Sequence, residues 1–169
     1  MEDDESGADV ETDQQRFLAF DLAGEGYAAS IMDVREILKV VSLTEVPRAP
    51  RDVLGVLSKR GLVMPVVDLA ATLGLRTASR TSSKDQRVLM VGDGKRICGL
   101  RVDAVSEVVR LSQEAIESVP ASLGQRNAHM LLGLGRVGER ILIILDIPAV
   151  LDAFAVAMGQ EPTQREEVA

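Results

Sequence analysis

The chain reads twice, and that constrains its fold more than any single motif does. "FLAFDL" at 17–22 precedes "AGEGYAASI" and "MDVREIL", and the pattern returns from Val88 as "VLMVGDGKRICGLRVDAVSEVV". Leu18 matches Leu89, Ile31 matches Val102, Val34 matches Val105 and Glu36 matches Glu107, each pair 71 positions apart. Further on, "LGV" at 54–56 matches "LGL" at 132–134, and "VMPVVDL" at 63–69 matches "ILIILDI" at 141–147. Here Asp68 falls on Asp146 and Leu73 on Leu151 at an offset of 78, so about seven extra residues enter the second half upstream of Leu132. A repeat this long exceeds most solenoid units. Two copies suit a pair of lobes better than an array.

Each half reads as about five short strands with glycine-bearing turns, which favours small β-barrels or sandwiches. In "MDVREIL", Ile31, Val34 and Leu38 approach a helical spacing. Pro65 removes a ladder donor, so its strand is expected to run along an edge or to carry a bulge there. Asp68 and Asp146 each end an apolar run and read as helix N-caps, and Gly74 stands where a helix-terminating glycine belongs. The last helix has Pro148 in its first turn and an apolar face of Leu151, Phe154, Ala155 and Met158. Residues 76–87, "RTASRTSSKDQR", read as a surface loop or linker between the halves.

Charge separates the ends from the body. Seven acids precede Arg16 with no base among them, and removing them from the net charge of −7 leaves 19 acids against 19 bases. Residues 1–15 have the composition of a disordered acidic tail, and 160–169 form a second polar tail, with the ordered unit expected over 16–159. A neutral body carries no footprint for nucleic acid or anionic lipid. Aromatics at 2% cannot build base-stacking platforms. Apolar runs such as 141–145 are far too short to span a bilayer, and no secretory leader is expected from the opening residues. The one cysteine, Cys98, cannot form an intramolecular disulfide, which fits a reducing cytoplasm.

The search for chemistry finds no catalytic constellation. His129 is the only histidine, so no histidine-based metal cluster exists, and Cys98 sits mid-strand as a buried structural thiol. Asp93-Gly94-Lys95 lacks the phosphate-loop spacing and reads as a hairpin turn. "GLGRVG" at 133–138 is followed by the strand "RILIIL" rather than by the helix a dinucleotide site requires. Asp33, Glu36, Asp103 and Glu107 alternate with apolar residues and read as solvated. No cofactor or metal is expected, and the chain is expected to be a binding module rather than an enzyme. A cleft between two lobes is a natural seat for a partner. A small-molecule-binding β-barrel regulator is the alternative, and it would need a pocket with convergent polar groups.

Four stretches, "RFLAFDLAGEGYAASIMDVREIL", "VPRAPRDVLGVLSKRGLVMPVVDLAATLGL", "VGDGKRICGLRVDAVSEVV" and "LLGLGRVGERILIILDI", closely resemble the CheW-type chemotaxis coupling proteins in order and spacing. The resemblance implies a mainly β fold: two interleaved five-stranded β-barrel lobes on a shared hydrophobic core, with short helices and a C-terminal helix. It implies a non-enzymatic cytoplasmic adaptor that joins chemoreceptor tips to the regulatory domain of a CheA-type histidine kinase and assembles into receptor arrays. The family's hairpin usually reads Asn-Leu-Arg-Gly; here it reads Ser58-Lys59-Arg60-Gly61. By the same resemblance Arg60 pairs with Glu36, and the receptor groove is lined by Val34, Ile37, Gly55 and Arg60 together with Val102, Val105 and Val108. Core packing is the competing role for each valine. Val63 is the implied kinase contact, and Lys59 reads on its own as a solvated hairpin tip.

Overall fold

The structure is a computed structural model that describes residues 14–39, 42–75, 84–120 and 128–157. The first half supplies β1 (Gln14–Leu22), β2 (Glu25–Ser30), a 3-10 turn (Ile31–Asp33), β3 (Val34–Lys39), β4 (Val53–Lys59), β5 (Leu62–Asp68) and the short helix α1 (Leu69–Thr72). The second supplies β6 (Arg87–Gly92), β7 (Ile97–Val102), β8 (Ala104–Ser112), β9 (Ile116–Glu117), β10 (Leu131–Val137), β11 (Arg140–Leu145) and α2 (Ile147–Ala157).

The halves do not fold separately. One sheet runs β8-β1-β2-β11-β10-β9 and the other β3-β6-β7-β5-β4, so each half lends strands to the other's lobe. We call these the β1 lobe and the β6 lobe. Replacing each strand by its partner in the repeat converts the first five strands of one order into the other. The registers agree residue by residue. Phe17↔Ser30 in β1–β2 corresponds to Val88↔Arg101 in β6–β7. The bulge between Ala19 and Phe20 against β8 matches the bulge between Val34 and Glu36 in the β3–β6 pair. The bulge at Val53/Gly55 matches the one at Leu131/Gly133. The duplication is therefore a near-twofold relation between the lobes.

Three apolar clusters follow from the two-residue strand period. In β1, Leu18, Phe20 and Leu22 face a shared core between the lobes, whereas Phe17 and Ala19 face the interior of the β1 lobe. In β6, Leu89 and Val91 join the shared core, whereas Val88 joins Leu38, Leu57, Met64 and Val66 inside the β6 lobe. Strands buried on both faces explain why 17–20 and 88–91 read as continuous apolar runs rather than alternating ones. Helix α2 lays Val150 and Leu151, both almost fully buried, on the shared core.

Several expectations need correction. "MDVREIL" forms a 3-10 turn and a strand, not a helix. The bulge in β3 adds one residue, so its apolar positions fall three apart and mimic a helical period. The second half holds six strands, because β9 crosses β10; the first half keeps only the single bridge Thr44↔Val56 at the equivalent place. Strand β5 is internal and carries no bulge at Pro65. It pairs with β7 only over 66–68, so Pro65 lies just ahead of that ladder, where its missing N–H costs nothing. The matching residue of the other half, Ile143, does pair, with Tyr27. Asp146 caps α2, its Oδ1 accepting from the Ala149 N–H at 3.2 Å, but Asp68 caps nothing with its side chain and binds Arg101 at 3.3 Å instead. Gly74, at a φ of 73°, closes α1 as expected: its N–H reaches the Ala71 carbonyl and that of Leu75 the Ala70 carbonyl. Gln14 and Gln15 belong to β1 rather than to a tail, and Arg87 opens β6 rather than ending a loop. The remainder of both tails, the loop over 76–83 and Met158 lie outside the described residues.

Candidate functional site

Strands β3 and β8 hold equivalent positions at an edge of each sheet. Residues directly opposite across an antiparallel pair share a face. Val34 and Ile37 of β3 oppose Val91 and Leu89, and Val105 and Val108 of β8 oppose Phe20 and Leu18. All four partners belong to the shared core. The four edge residues therefore lie on the faces the lobes turn toward each other. Val34 and Val105 pack against that core, whereas Ile37 and Val108 are 43% and 50% exposed at its rim.

Two residues assigned to this groove do not line it. Val102 ends β7 and is fully buried within the shared core. Gly55 is also buried, on the inward side of the β6 lobe opposite Val66. Its role is backbone clearance: a Cβ there would meet the Thr44 carbonyl oxygen at 2.7 Å, and its φ is 152°.

The β4–β5 hairpin is joined by a two-residue turn, Arg60-Gly61, with φ values of 53° and 79°. A turn with both central residues left-handed matches the twist of the flanking strands. It leaves the Arg60 side chain exposed at the tip. The expected Arg60–Glu36 pair is not the pair that forms. Lys59 Nζ binds Glu36 Oε2 at 2.5 Å, with the two side chains 32% and 37% exposed. The hydrogen bond from Lys59 holds the Glu36 carboxyl below the ordinary range against partial desolvation, with the charges of Lys59 and Arg60 adding to it. This pair joins β3 to β4, the two opposite edges of one sheet, and so closes the β6 lobe into a barrel. The period-two pattern contained the signal. Leu38 and Leu57 face the β6-lobe interior, and Glu36 and Lys59 lie two residues from them on the same faces.

Val63 is 61% exposed on β5, on the face that four residues on carries Val67 of the shared core. Its counterpart in the repeat, Ile141, is 53% exposed on β11.

Elsewhere the chemistry is structural. Cys98 is buried, which pushes its thiol up to about 12 and leaves it without nucleophilic character. His129 is exposed in a 3-10 turn. The Asp93-Gly94 segment is a hairpin turn, with Asp93 Oδ1 accepting from the Lys95 and Arg96 N–H groups. "GLGRVG" lies in β10 and its turn. No group of three or more metal-ligating side chains occurs among the described residues. A shallow, open depression is lined by Glu117, Leu134, Gly135, Arg136 and Ile141. No helix among the described residues is long and apolar enough to cross a membrane.

Two interlocked lobes with an apolar rim on the faces they turn toward each other form the frame of the site. Residues 16–155 match the family model of the CheW-like domain, and the chain belongs to that family. It is 34% identical to the chemotaxis protein CheW of Helicobacter pylori over 80% of this chain and 81% of that protein. It is likewise 34% identical to the chemotaxis protein CheW of Klebsiella aerogenes, over 88% of each. The crystal structure of the scaffolding protein TtCheW from Thermoanaerobacter tengcongensis superposes with a TM-score of 0.72 at 32% identity, covering 79% of this chain and 84% of that one. The chain is thus a non-enzymatic chemotaxis adaptor of the kind that couples receptors to a CheA-type kinase.

Proposed function

We propose that the groove between the lobes receives the cytoplasmic tip of a chemoreceptor and that a separate face around Val63 receives the regulatory domain of a CheA-type histidine kinase. The observation that carries this reading is the register of the edge strands. It turns Val34 and Ile37 of β3 and Val105 and Val108 of β8 toward one shared rim, while Val63 stays exposed on β5. The family resemblance adds Glu36 and Arg60 to the receptor surface, with Glu36 held by Lys59 and Arg60 exposed at the hairpin tip. Separate faces allow both partners to be held at once, which supports recruitment to receptor arrays at the cytoplasmic side of the membrane.

Binding of purified variants to a receptor-tip fragment and to a kinase regulatory domain, measured separately by calorimetry, tests the reading. Val108→Glu places a charge in the apolar rim and is expected to weaken tip binding by about tenfold or more. Val63→Glu is expected to do the same to kinase binding. Equal loss of both interactions in either variant, with circular dichroism unchanged, would refute two separate surfaces.

A further inference from the structure

We propose that the acidic segment 2–13 of this chain docks on the paired arginines Arg16 and Arg110 and so covers the Val108 end of the inter-lobe rim. The two arginines are direct cross-strand partners in the β1–β8 ladder, two positions from the pair Leu18↔Val108. The register shift of that ladder comes later, between Ala19 and Phe20, so the two-residue strand period holds from Arg16 to Leu18 and from Val108 to Arg110. Both arginines therefore stand on the face that carries Leu18 of the shared core and Val108, 50% exposed. Both are themselves exposed, and neither belongs to an ion pair among the described residues. Like charges directly opposite each other on one face repel. The surface thus offers two uncompensated cations beside an apolar side chain.

The repeat holds the same pair and compensates it differently. Lys39 and Arg87, the matches of Arg110 and Arg16 at the offset of 71, are cross-strand partners in β3–β6. There Arg87 is half-buried and donates to the carbonyl oxygens of Lys84 and Gln86 at 2.7 Å each. An acid, Asp85, stands two residues before it. The residue matching Asp85 is the uncharged Gln14, and Arg16 makes no comparable bond among the described residues. Acids able to compensate the Arg16–Arg110 pair lie immediately upstream: Glu2, Asp3, Asp4, Glu5, Asp9, Glu11 and Asp13, with no base among them. At 3.3–3.6 Å per residue the segment extends to about 40 Å at most. Val108 lies two strand residues, about 7 Å, beyond Arg110. The tether raises the effective concentration of the acids to the order of millimolar, so a weak attraction is enough to populate the docked state. Docking screens two repelling cations and shields the rim beside them. The resulting competition with a receptor tip rests on the groove reading above; the docking itself does not.

A nitroxide spin label on Ser6→Cys in the full chain tests the docking, since the native Cys98 is buried at 1% exposure. Amide signals of Arg110 and Val108 are expected to broaden, and those of the equivalent Lys39 and Ile37 to broaden much less. The effect is expected to vanish at about 0.5 M salt, where screening shortens the reach of the charges, and in Arg16→Gln/Arg110→Gln. Absent broadening, equal broadening at both edges, or broadening that survives the double variant overturns the proposal. Removal of residues 2–13 is expected to raise affinity for a soluble receptor-tip fragment about threefold or more at low salt, and to change nothing in the double variant. Circular dichroism shows that each protein is folded. Unchanged or lower affinity after truncation overturns the covering of the rim. Loss of tip affinity in the full-length double variant, with no broadening in the unmodified sequence, assigns the arginines to a partner's acids and likewise overturns the proposal. Failure of both full and truncated chains to bind any tip sinks the groove reading, while the label still reports whether the segment docks.

Discussion

The two lobes share strand order, register and bulges, yet they close their barrels by different means. In the β6 lobe, the edges β3 and β4 meet through Leu38 and Leu57 in the interior and through the Lys59–Glu36 ion pair at the end of the barrel. In the β1 lobe, Leu111 of β8 packs over Gly135 of β10, Val137 continues the apolar contact, and β9 adds a strand across β10. The difference teaches that duplication preserved the backbone solution and left the seams free to diverge.

A first way to break the comparison is at the backbone crossing both lobes retain. Gly133 lies where a Cβ would come within 2.4 Å of the Glu117 carbonyl oxygen, and Gly55 where one would come within 2.7 Å of the Thr44 carbonyl oxygen. Neither obstacle is a flexible side-chain end. Valine at either site is expected to destabilise the fold by about 3 kcal/mol. Gly55→Val is the worse of the two, because its φ of 152° adds backbone strain to the clash. Urea unfolding measures both. A loss below about 1 kcal/mol at only one site would show that the crossings are not equivalent.

A second test concerns how the β6–β7 turn is tied to α2. Arg96, in the β6–β7 turn, holds Asp93 at 2.5 Å and Asp152 of α2 at 2.5 Å, with side-chain exposures of 24%, 10% and 28%. The matching turn of the β1 lobe has Glu25 in place of Arg96 and Leu22 in place of Asp93, so it has no such clamp. Arg96→Met is expected to cost about 2 kcal/mol by leaving two partly buried acids without their shared cation. The loss is also pH-dependent. Burial alone would raise the Asp93 carboxyl, but hydrogen bonds from the Arg96 side chain and from the Arg96 and Lys95 backbone outweigh it and hold it at about 2, against an ordinary 3.8. A folded value below the unfolded one stabilises fully above about pH 4 and is lost as the pH falls through about 2. That lowering corresponds to about 2 kcal/mol. Asp33 works in the opposite sense: burial, with the charges of Asp146 and Asp93, raises its carboxyl, so its protonation favours the fold as the pH drops. Stability measured between pH 5 and 2 is expected to fall more steeply in the unmodified chain than in Arg96→Met. Parallel curves would remove Asp93 from the account.

Much of this was legible before any coordinates. The offsets of 71 and 78 positions align strands whose registers and bulges agree, and the caps at Asp146 and Gly74 follow from residue type. Interleaving of the lobes was implied by the family resemblance alone; local patterns say which segments are strands and not which copy of an equivalent neighbour they pair with. The 3-10 turn over Ile31–Asp33 carries the chain across to the other lobe instead of back along β2, and nothing in its composition distinguishes the two routes. At the site, Ile37 and Val108 were named only through the family resemblance; the structure shows them equivalent in the repeat and exposed. The burial of Val102 was not, since a valine at a strand end suits a rim and a core equally. The exchange of Arg60 for Lys59 as the partner of Glu36 turns on one residue of turn geometry: a two-residue loop puts position 60 at the tip and keeps position 59 in the ladder, opposite Leu62.

The smallest effect is the most direct probe of the seams. Lys59→Val writes the β1-lobe solution, Val137, into the β6 lobe. The ion pair it removes is partly exposed, with side chains 32% and 37% accessible. Such pairs add little to stability, because water screens the attraction and holding two long side chains costs entropy. The thermal midpoint is therefore expected to shift only slightly. The sign of its salt dependence carries the information. In the unmodified chain the two charges sit 2.5 Å apart, well inside a Debye length of about 8 Å at 0.15 M ionic strength, so salt weakens their attraction only partly and should lower the midpoint by a small amount, most at about 1 M, where that length shrinks to about 3 Å. In Lys59→Val that component is absent, and Glu36 faces a valine as an unpaired but hydrated acid. Differential scanning calorimetry of both proteins at low and high salt separates the cases. A matching salt response would mean that the ion pair contributes nothing to closing the β6 lobe and that Leu38 and Leu57 close it alone, making the two seams energetically alike despite their different residues.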